Sequence, residues 1–253
     1  MEEKERIERL LAAIRNLSPS QTIWVSKVVE SFGRPKRFTR NPSSNLVSQR
    51  MLEDIGDTLR IHHAFSREPF SKDKFEYALE RIASDCGITA KLAPRGNPGY
   101  DIEIAGQKVS LKSEAAAAIK IDKLHISKFM ELGGGQWGDN PDDLLGLREQ
   151  FFAHMRQYER IIVLRKLPDA DIGPRYELVE IPKDLLLESA RGEMEMKLDS
   201  TQKGAKPGYC HVPSKAGPLK YALYFDGGGE RKLQIKGLRK DLCTVHAEWI
   251  FTA

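Results

Sequence analysis

The sequence predicts an α/β or α+β fold, a mixed β-sheet flanked by helices, and three observations predict it. Apolar residues recur at helical spacing through the first third of the chain, and the period changes to strict alternation near residue 102. Unbroken apolar runs then follow, interleaved with further helical stretches, and no internal repeat is visible. With 253 residues, 40% hydrophobic and 30% charged, the chain can bury one large core or two small ones. Disordered and collagen-like chains are thereby excluded.

Taken in order, Ile7, Leu10, Leu11 and Ile14 share one helical face. Ser18-Pro19-Ser20-Gln21 supplies an N-cap, a proline at the first helical position and a glutamine at the third, so a second helix should run to about Glu30. Arg34 to Ser44 is Pro-containing and basic and is read as a loop, followed by a helix over Leu46 to Leu59. Ser71 can cap a helix whose Phe75, Leu79 and Ile82 share a face, and Gly87 is placed to end it. Ile102, Ile104, Val109 and Leu111 alternate with polar residues around Gly106, which predicts a β-hairpin with one buried face. A helix from about Pro141 to Tyr158 leads to Ile161-Ile162-Val163-Leu164, a run apolar enough for a central strand covered on both faces. Tyr176 to Ile181 reads as a strand, Asp184 to Ala190 as a helix and Ser200 to Pro218 as a loop. Lys220 to Phe225 and Arg231 to Lys236 then form two strands joined by a triple-glycine turn. Residues 1–70 form an N-terminal helical region and residues 71–253 the mixed core with its C-terminal hairpin, unless the two are one continuous domain.

No stretch approaches 18 apolar residues, and the opening MEEKERIERLLAAIRNL lacks the charged-then-apolar order of an export signal. Three cysteines, Cys86, Cys210 and Cys243, make no CxxC pair and suit a reducing compartment, so a cytoplasmic protein is expected. The net charge is only +4, but nine Lys and Arg against four Asp and Glu fall after residue 202. A second basic cluster lies at Lys27, Arg34, Lys36, Arg37 and Arg40, opposed only by Glu30. Such patches can neutralise phosphates, though most are simply solvated faces.

Several common motifs carry nothing here. There is no GxxxxGK[ST] loop and no GxSxG elbow. Gly133, Gly135 and Gly138 match GxGxxG without a strand closely before them, and read as a loop. Cys210-His211 with Cys243 and His246 fits no compact zinc spacing, and His62-His63 reads as a helix-end pair.

The hairpin is the stronger constellation. If Ile104 faces Val109, then Ile102 faces Leu111 and Asp101 faces Lys112; slipping by one residue would set Asp101 beside Leu111, while slipping by two preserves the faces. Asp101, Glu103, Ser110, Lys112 and Glu114 then share one side of the pair, and the apolar residues seal the other. Carboxylates on a rigid sheet can hold a hard cation that polarises a phosphodiester and lowers the pKa of an attacking water, and a lysine beside them can orient that water and offset developing charge. An exposed strand face of alternating charge looks the same at this level.

Wider strings extend that pattern. NPGYDIEIAGQKVSLKSEAA, HISKFMELGGG, YELVEIPKDLLLE and YFDGGGERKLQIKGLRKDLCTVHAEWIF together resemble the type II restriction endonucleases of the Sma/Xma class, which cut CCCGGG. The resemblance runs from about residue 50 onward, and the first 45 residues carry none of it. It implies a PD-(D/E)xK restriction-endonuclease-like core, Mg²⁺-dependent cleavage of double-stranded DNA and a homodimer on a palindrome, with a cognate DNA methyltransferase as functional partner. Asp101 matches the signature Asp and Lys112 the signature Lys. Two departures stand out: Gly99-Tyr100 separates Pro98 from Asp101, and Ser110 occupies the usual acidic position. The catalytic set implied is Asp101, Ser110, Lys112 and Glu114. Glu114 is the first substitute for the missing metal ligand beside Asp101, Glu76 on the preceding helix the next, and Glu103 a third.

A G·C-only site offers O6 and N7 of guanine to Arg or Lys and the cytosine N4 donor to Asp or Glu. Asp226, Glu230, Arg231 and Lys232 around the triple glycine hold both kinds, with Lys236 beyond them, and Arg95, Asn97, His125 and Lys128 are second-rank DNA contacts. Two rival readings are a sequence-specific DNA-binding module that kept the fold without the chemistry, for which Ser110 argues, and a nickase or mismatch-repair nuclease.

Overall fold

The computed structural model of the chain describes residues 2–116, 118–133, 137–214 and 217–253. Gly135 of the GxGxxG match lies outside them. Helix α1 spans Glu2–Arg15, and α2, Pro19–Gly33, begins at Ser18, which closes a full capping box with Gln21. The segment expected to be a loop instead contains a strand, β1 (Lys36–Arg40), paired antiparallel at a sheet edge with Phe38 opposite Trp249. Edge strands tolerate charge, and this one alternates Arg37 and Thr39 with a half-buried Phe38, so its basic composition masked it. Helix α3 runs Gln49–Phe65 from a Ser48 cap, and α4 runs Lys72–Asp85 from the predicted Ser71 cap to Gly87, whose φ of 76° only glycine adopts readily.

Strands β2 (Ala90–Leu92), β3 (Ile102–Ile104) and β4 (Gln107–Glu114) form an antiparallel meander, and β4 continues into β5 (Lys123–Glu131). After α5 (Asp143–Met155) come β6 (Arg160–Ala170) and β7 (Gly173–Glu180), then the short α6 (Lys183–Leu187). Strands β8 (Glu193–Met196), β9 (Gly208–Val212), β10 (Tyr221–Asp226), β11 (Lys232–Arg239) and β12 (Thr244–Phe251) complete the chain. The stretch from Ser200 to Pro218, read as a loop, thus contains β9.

Two sheets result. One has seven strands in the order β1-β12-β7-β6-β4-β3-β2, antiparallel except for the parallel pair β4 and β6, and the other has five antiparallel strands, β5-β11-β10-β9-β8. Val109, Leu111, Ile162 and Leu164 pack against α3 and α4 in one core. Ile161 and Val163 face the other way, into a second core with α5 and the five-stranded sheet. The β6 run is covered on both faces, as its composition predicted. The expected mixed sheet flanked by helices is present, with a second sheet added.

Candidate active site

The hairpin pairs Ile102 with Val109 and Ile104 with Gln107, two residues from the expected register. A slip of two preserves every face, so the chemistry stays where the alternation put it. The turn is tighter than expected, with Ala105 and Gly106 both at positive φ. The side of β4 carrying Ser110, Lys112 and Glu114 is not solvated, because the second core lies over much of it: Ser110 is fully buried and Lys112 half-buried.

Asp101 sits where the chain enters β3, with its N–H donated to the Val109 carbonyl at 3.0 Å. Its Oδ2 accepts the Leu111 N–H at 2.6 Å and the Ser110 hydroxyl at 3.4 Å, so Ser110 orients the carboxylate where an acidic side chain would have repelled it. Its Oδ1 accepts from Lys72 Nζ at 2.7 Å, and the same ammonium donates to Glu76 Oε1. Asp101 and Glu76 are 20% and 19% exposed, shielded enough for their charges to matter and open enough to be reached. Of the candidates for the second acidic ligand, Glu76 is the one the structure brings to Asp101.

Glu114 is placed elsewhere. Its Oε2 accepts from Arg165 Nε at 2.5 Å and its Oε1 from the His125 N–H at 2.9 Å, in a site 3% exposed. Arg165, itself fully buried, also pairs with Glu177 and donates to the carbonyls of Lys120 and Lys123, each at 2.7 Å. These bonds fasten the connection between β4 and β5. Glu114 thus serves this joint and does not line the cleft that holds Asp101 and Lys112. Glu103 lies mid-strand on β3, in register with Lys91 and Lys108.

Lys112 projects into a cleft of about 670 Å³ whose walls include Lys72, Asp101, Lys128, Phe129, His154 and Gln157. Burial lowers its pKa to about 8; the Lys72 ammonium adds to that, while Asp101 and Glu76 act against it. Its ammonium lies 5.4 Å from the Phe129 ring centroid. Burial and Lys112 hold His154 at about 4, so its imidazole is neutral near pH 7, and its buried Nε2 has no hydrogen-bond partner among the described residues. Gly99 lets Gln157 close over the turn before Asp101, for a Cβ there would lie 2.3 Å from Oε1 of Gln157. Lys72, Phe129, His154 and Gln157 carried no sequence signal except one: Lys72 stands four residues before Glu76 on a helix.

The DNA-contact candidates fall into two groups. Arg231 and Glu230 line a groove with Lys128, and Lys128 also lines the Lys112 cleft, so the triple-glycine turn and the carboxylates border one continuous surface. Arg231 lies 5.6 Å from the Trp137 ring centroid, and Lys232 faces Glu230 at 3.6 Å. Arg95 and Asn97 line a pocket together with Asp101 and Glu76. Asp226 turns inward, accepting from the Gly228 N–H and from Gln234, each at 3.1 Å, and so shapes the turn. Lys236 is packed over Tyr224 at 3.3 Å from the ring centroid, and burial lowers its pKa. His125 is half-buried beside Glu114. The drawn zinc set does not gather: His211 pairs with Glu195, His246 with Ser44 and Glu180, and among the described residues no three His, Cys, Asp or Glu side chains form a metal-binding group.

The fold is of the restriction-endonuclease-like class, and it sets Asp101 beside Lys112 in one cleft and beside Glu76 through the Lys72 ammonium. The type II site-specific deoxyribonuclease family, SmaI, matches residues 10–251 of the chain. The type II restriction enzyme SmaI of Serratia marcescens is 39% identical over 247 residues, which cover 97% of each chain. The chain belongs to this family of site-specific DNA-cleaving enzymes, and the match takes in most of the N-terminal helices that carried no resemblance by inspection. No helix among the described residues is long and apolar enough to cross a membrane.

Proposed function

We propose that the enzyme cuts both strands of a palindromic G·C-rich site, CCCGGG, as a Mg²⁺-dependent homodimer in the cytoplasm, alongside a methyltransferase that protects the same sequence. The observation that carries the catalytic reading is that Asp101 and Glu76 both point at one cation, the Lys72 ammonium, with Lys112 in the same cleft. Two carboxylates completed by water and substrate phosphate are a donor set that suits Mg²⁺. Asp101 and Glu76 would hold the ion, which when bound supplies Lewis acidity toward the phosphate. Ser110 and the Leu111 N–H fix Asp101 from behind. Lys112, its ammonium partly desolvated, orients the attacking water and offsets charge on the phosphate as the bond breaks.

Arg231 is the leading reader of guanine and Lys232 a second; Glu230 is placed to accept from cytosine N4, and Lys128, Arg95 and Asn97 track the backbone on either wall. Asp226, Lys236 and His125 support the turn and its sheet. The described residues hold one such site, so cutting both strands at a two-fold sequence takes two copies. The face for the second copy is on the N-terminal helices, where Leu10, Ile23, Trp24, Val29 and Phe65 stand about half exposed and Trp24 touches Phe65.

The test is a plasmid with one CCCGGG site, incubated with Mg²⁺ and the enzyme, beside Lys112→Ala and a plasmid whose site is altered. Linear product from the intact pair alone supports the reading. Nicked circles as the end product would favour single-strand cutting, and cleavage indifferent to the sequence would remove the CCCGGG assignment.

A further inference from the structure

Lys72 is the first residue of α4, and its ammonium bridges the two carboxylates proposed to hold the metal, 2.7 Å from Asp101 Oδ1 and bonded to Glu76 Oε1. A divalent ion shared by Asp101 and Glu76 would have to lie where this ammonium lies, and two cations cannot occupy that position together. The tether is short on one side and loose on the other: Lys72 and Glu76 are one turn apart on the same helix, while the side chain is a third exposed and lines the same cleft as Lys112. Its flexible four-carbon stem gives the ammonium somewhere to go. Without any cation, two largely shielded carboxylates would face each other at a cost, and the hairpin and α4 would be pushed apart at the site.

We propose that Lys72 is a built-in placeholder. Its ammonium keeps Asp101 and Glu76 together in the metal-free enzyme and must release both when a divalent ion binds, so the metal affinity of the free enzyme is set by competition with Lys72. Lys72 is thus a positioning residue, acting through the two carboxylates. The inference rests on Asp101 and Glu76 being the metal pair.

The experiment is a Mn²⁺ titration of the full-length enzyme without DNA, following free Mn²⁺ by electron paramagnetic resonance and melting temperature with and without Mn²⁺. Lys72→Met should bind Mn²⁺ about tenfold tighter, the worth of one lost competing charge-assisted contact. Its metal-free melting temperature should fall and its Mn²⁺-induced rise should grow. Lys72→Arg, which keeps the cation, should stay near wild type in both. A Lys72→Met enzyme that is folded and less stable but binds Mn²⁺ no tighter makes Lys72 a structural clip and overturns the proposal. If Lys72→Met does not fold, Lys72→Gln takes its place with the same expected gain. Asp101→Asn and Glu76→Gln separate the two levels: if neither weakens Mn²⁺ binding, the metal assignment fails, and if both do while Lys72 variants change nothing, only the placeholder fails.

Discussion

Lys112 and Asp101 meet because β3 and β4 are joined by a two-residue turn, and alternation along β4 then sends Lys112 to the side that Asp101 faces. Replacing Lys112 by Ala should lower the cleavage rate by about 10²–10³-fold or more, the cost typical of one preorganised electrostatic contact, with DNA affinity changed only a few fold. Single-turnover cleavage and a binding titration in Ca²⁺ separate the two. Glu114→Gln should act differently: it removes one of the two carboxylates paired with buried Arg165, with Glu177 remaining, so it should cost about 1–3 kcal/mol in a thermal melt while leaving Mn²⁺ affinity unchanged. That Asp101 and Lys112 come to one cleft was legible in the sequence because a strand has a period of two. Glu114 follows the same alternation, but its pairing with Arg165, 51 residues away, is written in neither segment. Glu76 could be weighed but not chosen, because the distance from a helix to a sheet is not written in either segment.

At the level of elements, helices were readable from caps and periodicity, and the hairpins from alternation around glycine turns. Strands β5, β8, β9 and β12 were not: each takes its place from a partner elsewhere in the chain, and Lys123–Glu131 carries too many charges to announce itself. Packing between elements shows most clearly at Gly56 on α3, where a Cβ would lie 2.2 Å from the Phe38 ring and 2.7 Å from Trp249. Gly56→Ala should destabilise by about 1–3 kcal/mol, measured by denaturant unfolding, because α3 would have to rise off β1 and β12. Three strands are stitched by Glu180, which pairs with Arg160 at 2.6 Å and His246 at 2.9 Å. Burial works against its ionisation, but these bonds prevail and hold its pKa at about 2, below the ordinary 4.5. The stability this lends is complete above pH 4.5 and is lost as pH falls toward 2. Glu180→Gln should remove on the order of 3 kcal/mol at pH 7 and flatten the stability curve across that acid window.

For the whole molecule, the exposed apolar side chains of α1 and of the packed pair α2 and α3 are where a second copy is expected. Trp24→Glu combined with Leu10→Glu should shift the enzyme from dimer to monomer in sedimentation at micromolar concentration and abolish double-strand cutting in dilute solution. A dimer that persists would move the interface elsewhere. The fastening of β4 to β5 by Arg165 reaches furthest. Lys112 stands on one side of that joint; on the other, β5 carries Phe129 beneath Lys112 and Lys128 at the border of the triple-glycine turn. On the proposed assignment of base reading to the triple-glycine turn, the strand that borders that turn is also the strand that lies beneath the Lys112 ammonium. A wrong sequence that still holds the protein by its phosphates would be penalised in the speed of cutting more than in the tightness of binding, and fidelity would be exercised at the moment of chemistry.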